Sequence, residues 1–119
     1  MIVLKDGGHG ITEESLRFWN ENKNKIGVVK FAAVTEMPLY TEKAPDGDYK
    51  LEYNMAIHGK SGSIYLSGCN CGYGGTGPHG TAKILAELGL PIEEARQATL
   101  YKTVYYNPNL KRLVHWAPD

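Results

Sequence analysis

Six of the thirteen residues from Gly68 to Gly80 are glycine, in the run Gly68-Cys-Asn-Cys-Gly-Tyr-Gly-Gly-Thr-Gly-Pro-His-Gly80. Glycine loses more backbone entropy on folding than any other residue and brings no side chain to pack. A run this dense inside a folded chain needs a local reason. One reason is backbone of positive φ. Another is close approach of N–H groups to a ligand. The run reads as lying between a strand and a helix N-terminus, so the elements on either side of it set the fold.

On its N-terminal side the pattern is mostly β. Met1–Leu4 is a short apolar stretch that reads as a strand, followed by the turn Asp6-Gly-Gly-His-Gly10. Thr12 reads as a helix N-cap, with Glu13 and Glu14 placed to complement the dipole of a helix over Glu13–Asn22. Val28–Thr35 is apolar on both faces, as expected of a central strand, and Pro38 ends it. Lys43–Asp48 has turn composition. Tyr49–His58 alternates, with Tyr49, Leu51, Tyr53, Met55 and Ile57 on one face, and reads as one half-buried antiparallel strand. Gly59–Gly62 is a hairpin turn and Ser63–Ser67 the returning strand, so Tyr53 and Tyr65 are expected to pair.

On the C-terminal side Pro78 reads as the first residue of a helix carrying Ile84, Leu85 and Leu88, with Gly89 as its stop. Pro91 opens a second helix over Ile92–Ala98. Leu100–Tyr106 and Leu110–Trp116 read as strands around Asn107–Asn109. The whole predicts one small α+β domain over residues 1–119, with a mostly antiparallel sheet and two to three helices. The glycine-rich loop joins a strand to a helix N-terminus.

That junction carries the functional expectation. Free backbone N–H groups and the helix dipole make it attractive to anions. Thr76 and Thr81 add hydroxyls, and Lys83 follows within the first turns. Gly74, Gly75, Gly77 and Gly80 allow close backbone approach, and His79 can donate to a phosphate. Tyr73 can stack on a base or anchor the loop, and Asn70 can bond a base edge or a ribose. Two overlapping G-x-G-x-x-G matches, Gly72/Gly74/Gly77 and Gly75/Gly77/Gly80, are nearly automatic in such a run. The parallel βαβ unit of a dinucleotide fold is missing. Thr81 stands where a P-loop needs lysine, which excludes that motif. Arg17, Arg96 and Arg112 could clamp a phosphate, although solvation is the default for arginine.

Three function classes follow. The favoured one is a small non-enzymatic protein that holds a nucleotide or other phosphate-bearing molecule, to sequester or sense it. The second is a small hydrolase or transferase, with Cys69 or Cys71 as nucleophile near the helix start and His58 or His79 as base. The third is an interaction module or enzyme inhibitor, with Tyr73 as anchor.

No metal and no cofactor is expected, because the Cys-x-Cys spacing and the scattered histidines (His9, His58, His79 and His115) make a poor zinc set. Thirteen basic and 13 acidic residues give no net charge, which argues against duplex nucleic acid as a partner. No apolar run is long enough to span a bilayer, and the start of the chain lacks the pattern of a signal peptide. Two cysteines one residue apart suit a reducing compartment. A cytoplasmic protein is expected. A homo-oligomer is compatible with this reading, with tyrosines and Trp116 able to line an interface.

Overall fold

The computed structural model describes residues 1–114. Its elements are β1 (Ile2–Lys5), α1 (Thr12–Asn22), β2 (Val29–Thr35), β3 (Tyr40–Lys43), β4 (Lys50–Tyr53), β5 (Met55–Gly59) and β6 (Gly62–Leu66). Then come α2 (Thr76–Glu87), α3 (Ile92–Ala98), β7 (Thr103–Asn107) and β8 (Arg112–Val114). A 3-10 turn over Lys23–Ile26 follows α1. Six strands form one sheet in the order β1-β6-β5-β2-β7-β8, and β3 pairs with β4 in a separate hairpin. This is the expected α+β architecture.

Every pair in the large sheet is antiparallel except β1 with β6, which is parallel. The parallel pair was not legible, because residues 6–61 lie between its two strands. The expected central strand is central: β2 runs between β5 and β7, with Phe31–Val34 buried on both faces.

One face of the sheet carries the core. Ala32, Val34, Met55, Ile57, Ile64, Leu66, Val104 and Tyr106 pack there against Trp19, Ala82, Ile84, Leu85, Leu90, Ala95 and Ala98 from the helical side. Burying each large side chain contributes about 1.5–3 kcal/mol. The Tyr106 hydroxyl donates to Leu88 O at 3.1 Å, which ties the end of α2 to β7.

The predicted strand Tyr49–His58 is two strands, broken at Asn54. The Asn54 carboxamide donates to both Thr35 O and Glu36 O, in addition to the backbone bonds that Asn54 makes with Thr35 N and Leu66 O. The break also switches faces. Met55 and Ile57 join the main core, whereas Leu51 and Tyr53 form a second cluster with Ala44 and Tyr65. The expected Tyr53–Tyr65 contact is present, edge-on at 6.4 Å. β3, its exposed partner strand, was not expected.

The helix ends also differ. Ile11 is the N-cap of α1, so Thr12 is its first residue and spends its hydroxyl on Gly68 O at 2.7 Å. Gly75 is the N-cap of α2, which puts Pro78 third rather than first. The last two strands start later than predicted, at Thr103 and Arg112, and His115 and Trp116 lie outside the described residues.

Candidate functional site

Strand directions bring the carboxyl ends of β1, β6 and β2 to one rim of the sheet. Two glycine-rich connections leave it side by side: residues 6–11 from β1 into α1, and residues 67–75 from β6 into α2. Ligands of open α/β sheets bind outside the carboxyl ends of parallel strands, where such connections meet helix N-termini.

Asp6 joins the two connections. Its carboxylate accepts from Ser67 N at 2.8 Å, Ser67 Oγ at 2.9 Å and Gly8 N at 3.1 Å, and from the Ser15 hydroxyl. Ser15 Oγ in turn accepts from Gly68 N at 2.8 Å, and Ser67 Oγ accepts from Gly10 N at 3.0 Å. Ser15 and Ser67 are buried. Charge-assisted bonds of this kind are roughly twice as strong as neutral ones, so one carboxylate orders the start of both loops. Sequence reasoning missed Asp6, Ser15 and Ser67. The only local sign was Asp6 two residues before Gly8, the spacing of an Asx turn.

The glycines of the run divide into two groups. Gly68 presses on the Ile11 backbone, Gly80 on Thr12 and the Cys69 sulfur, and Gly77 on the Asn70 carboxamide. Gly72 has φ +99 and faces the Glu36 carboxylate. These four are glycine because the loop is packed tightly. Gly74 and Gly75 are different: both are exposed, and a β-carbon would meet nothing at Gly74 and only the Tyr73 ring at Gly75.

Of the expected ligand-binding residues, Tyr73, Gly74, Gly75, Thr76, His79 and Lys83 are exposed at the rim and on α2. Gly77, Gly80 and Thr81 are buried beneath them. The Thr81 hydroxyl donates to Asn70 O at 2.8 Å and braces the loop. Asn70 is half-buried, and its Oδ1 is fully enclosed with no hydrogen-bond partner.

Thr76, His79 and Lys83 fall at i, i+3 and i+7, on one face of α2. Lys83 lines an open groove of about 310 Å³ between α1 and α2, together with Leu16 and Ile84. The first bond of α2 runs from His79 N to Gly75 O at 3.1 Å. No side chain caps the turn before it, and Gly75, Thr76 and Gly77 donate to no acceptor among the described residues.

Cys69, Cys71 and His58 are not brought together. Both cysteines sit in the main core, fully buried. Burial, with Asp6 adding to it, pushes the Cys69 thiol up to about 12. Burial and then Glu36 push Cys71 up to about 11. An activated nucleophile needs the opposite shift. His58 lies on the far face of the sheet, its Nδ1 2.7 Å from Ser63 Oγ, and burial lowers its pKa.

No cluster of three or more His, Cys, Asp or Glu among the described residues is placed to hold a metal ion. Arg96 is paired with Glu93. No helix among the described residues is long and apolar enough to cross a membrane. No family model, curated protein or solved structure matches the chain.

Proposed function

We propose that this protein is a small-molecule binder that holds an anionic ligand, of the nucleotide or sugar-phosphate class, on the rim where the two glycine-rich connections meet. The observation that carries the reading is the open first turn of α2. Its free N–H groups stand at the positive end of the helix, on exposed Gly75 and Thr76 and on buried Gly77, with no side chain competing for them. Thr76, His79 and Lys83 extend the same exposed face, and Tyr73 stands beside the N-cap with its ring available for stacking. The Asp6 network holds the loop in place before any ligand arrives, which lowers the ordering cost of binding.

Holding rather than transforming the ligand is favoured because the thiols are buried and their ionisation is suppressed. Sequestration or sensing follows as the role, in the compartment where such phosphates are abundant, the cytoplasm.

The test is a thermal-shift panel of mono-, di- and cyclic nucleotides, sugar phosphates and inorganic phosphate. A ligand that binds only the folded state stabilises it by about 2.7 kcal/mol at a hundred times its Kd. A rise with one phosphate class that is reduced in His79→Ala and Lys83→Ala supports the reading. A flat panel refutes it and moves the weight to a protein partner.

A further inference from the structure

The rim leaves one large feature unused, which is the sheet face turned away from the helices. Side chains alternate along a strand. With Ala32, Val34, Ile57, Ile64, Val104 and Tyr106 committed to the core, Phe31, His58, Tyr65 and Tyr105 must point the other way. They come from four different strands, β2, β5, β6 and β7. Phe31 lies between two near-parallel rings, Tyr105 at 5.8 Å and 24° and His58 at 6.5 Å and 16°. Tyr65 meets His58 edge-on at 6.2 Å and bounds the row. Phe31 is buried by its neighbours, while His58, Tyr65 and Tyr105 are partly open. The β3–β4 hairpin covers only the Tyr65 end, through Tyr40 and Tyr53.

We propose that this row is a stacking surface for the unpaired bases of a single-stranded nucleic acid. Aromatic side chains on an open sheet, with helices behind it, suit flat bases because every base presents a π-face. Ser63 holds the His58 ring through Nδ1, which leaves Nε2 for a base edge.

The charge distribution chooses this occupant. The chain has as many acidic as basic residues, yet no outward position on the six strands is Asp or Glu. Lys5 and Arg112 are cations there, and Lys30 is exposed on β2 beside the register shift at Phe31. Lys5 is paired with Glu42 of the hairpin at 2.8 Å, and Arg112 stands on β8 with no ion pair among the described residues. A face with aromatic rings, a cation and no carboxylate from the six strands, the hairpin's Glu42 being paired with Lys5, fits a polyanion. A second copy would meet the same face with no acid to receive Arg112. Duplex nucleic acid hides its π-faces, so the row selects single strands.

The test uses fluorescence anisotropy with a labelled oligonucleotide of about 12 nucleotides, as RNA, as DNA and as the duplex. The expected result is binding of a single strand in preference to the duplex. Tyr105→Ala and His58→Ala should each weaken it about tenfold, the order expected for one stacked base. Tyr105→Leu keeps the apolar packing without the ring, and should lose affinity equally if the alanine variant does not fold. Arg112→Gln should flatten the salt dependence by about one unit of slope. Single-strand binding absent at low salt overturns the proposal, as does equal binding of the duplex. A wild-type dimer that Tyr105→Leu dissociates also overturns it, and makes the face an interface between copies. None of these variants touches the rim, so the thermal shift with nucleotides is read separately.

Discussion

The α-carbon of Gly68 lies against the carbonyl of Ile11, so that a β-carbon there would stand 2.5 Å from both the carbonyl carbon and its oxygen. That carbonyl also accepts the first bond of α1, from Ser15 N at 3.0 Å, and cannot move without loosening the helix. Gly68→Ala should therefore cost about 3 kcal/mol or more, at the upper end of overpacking effects. Gly77 is crowded by a different kind of atom. Its β-carbon would meet only the Asn70 carboxamide, which can swing out to water and satisfy an oxygen that is now enclosed and unbonded. Alanine is also the better helix former by about 1 kcal/mol. Gly77→Ala should thus stay within about 1 kcal/mol of wild type. Urea unfolding of both variants measures the difference, and equal losses would contradict this account of the loop.

Gly75 offers a direct probe of the open helix end. Its φ of 161 and ψ of −170 are extended backbone that any residue adopts, and only the exposed Tyr73 ring stands near a new β-carbon. Aspartate at this N-cap should take the Gly77 amide, since Pro78 in the third position has none, and stabilise the fold by about 1 kcal/mol. The same carboxylate should repel and displace an anion. Gly75→Asp is expected to melt higher than wild type and to lose the thermal response to phosphate compounds. A variant that is stabilised and still responds would move the anion off the helix terminus.

Much of the fold was legible because its signals are local. The apolar run of β2, the turn at Lys60 and Ser61 and the stop at Gly89 each depend on neighbours in sequence. The break at Asn54 was not legible, since Tyr53 and Met55 continue a regular alternation while packing in two different clusters. The parallel pairing of β1 with β6 joins strands some sixty residues apart, as the register Ile2 with Gly62 shows. The site was half visible. A glycine count marks the loop, but it does not separate Gly68 and Gly80, which are small for packing, from Gly74 and Gly75, which are open. Asp6 was read only as part of a turn because its partners Ser15 and Ser67 lie in other elements.

The buried thiols should be inert in the native state. With pKa values of about 12 and 11 against an ordinary 9.0, the thiolate fractions of Cys69 and Cys71 at pH 8 fall about a thousandfold and a hundredfold. Burial slows attack further. A disulfide reagent at pH 8 should leave native protein almost unlabelled and titrate two thiols in urea. Rapid labelling of the native protein at either position would restore the cysteine nucleophile as a live alternative.

His58 should give the stability curve a specific slope. Burial against Phe31, Tyr65 and Ser63 lowers its pKa below the ordinary 6.5, so the native state prefers the neutral ring. In the unfolded chain the ring takes its proton at the ordinary value. The unfolded state therefore binds more protons as the pH falls below about 6.5, and stability declines from there through the lowered native value. Above that window His58 contributes no pH dependence. Lys5 and Glu42, on the hairpin side of the row, are paired with each other. His58→Gln keeps a polar side chain that does not titrate, so the decline below pH 6.5 should be shallower in the variant than in wild type. His9 and His79 are present in both proteins, and the difference between the two curves isolates His58. Urea unfolding across the acid range makes the measurement. Parallel curves would mean that His58 is as well solvated in the native sheet as in the unfolded chain, and that the aromatic row is more open than its packing shows.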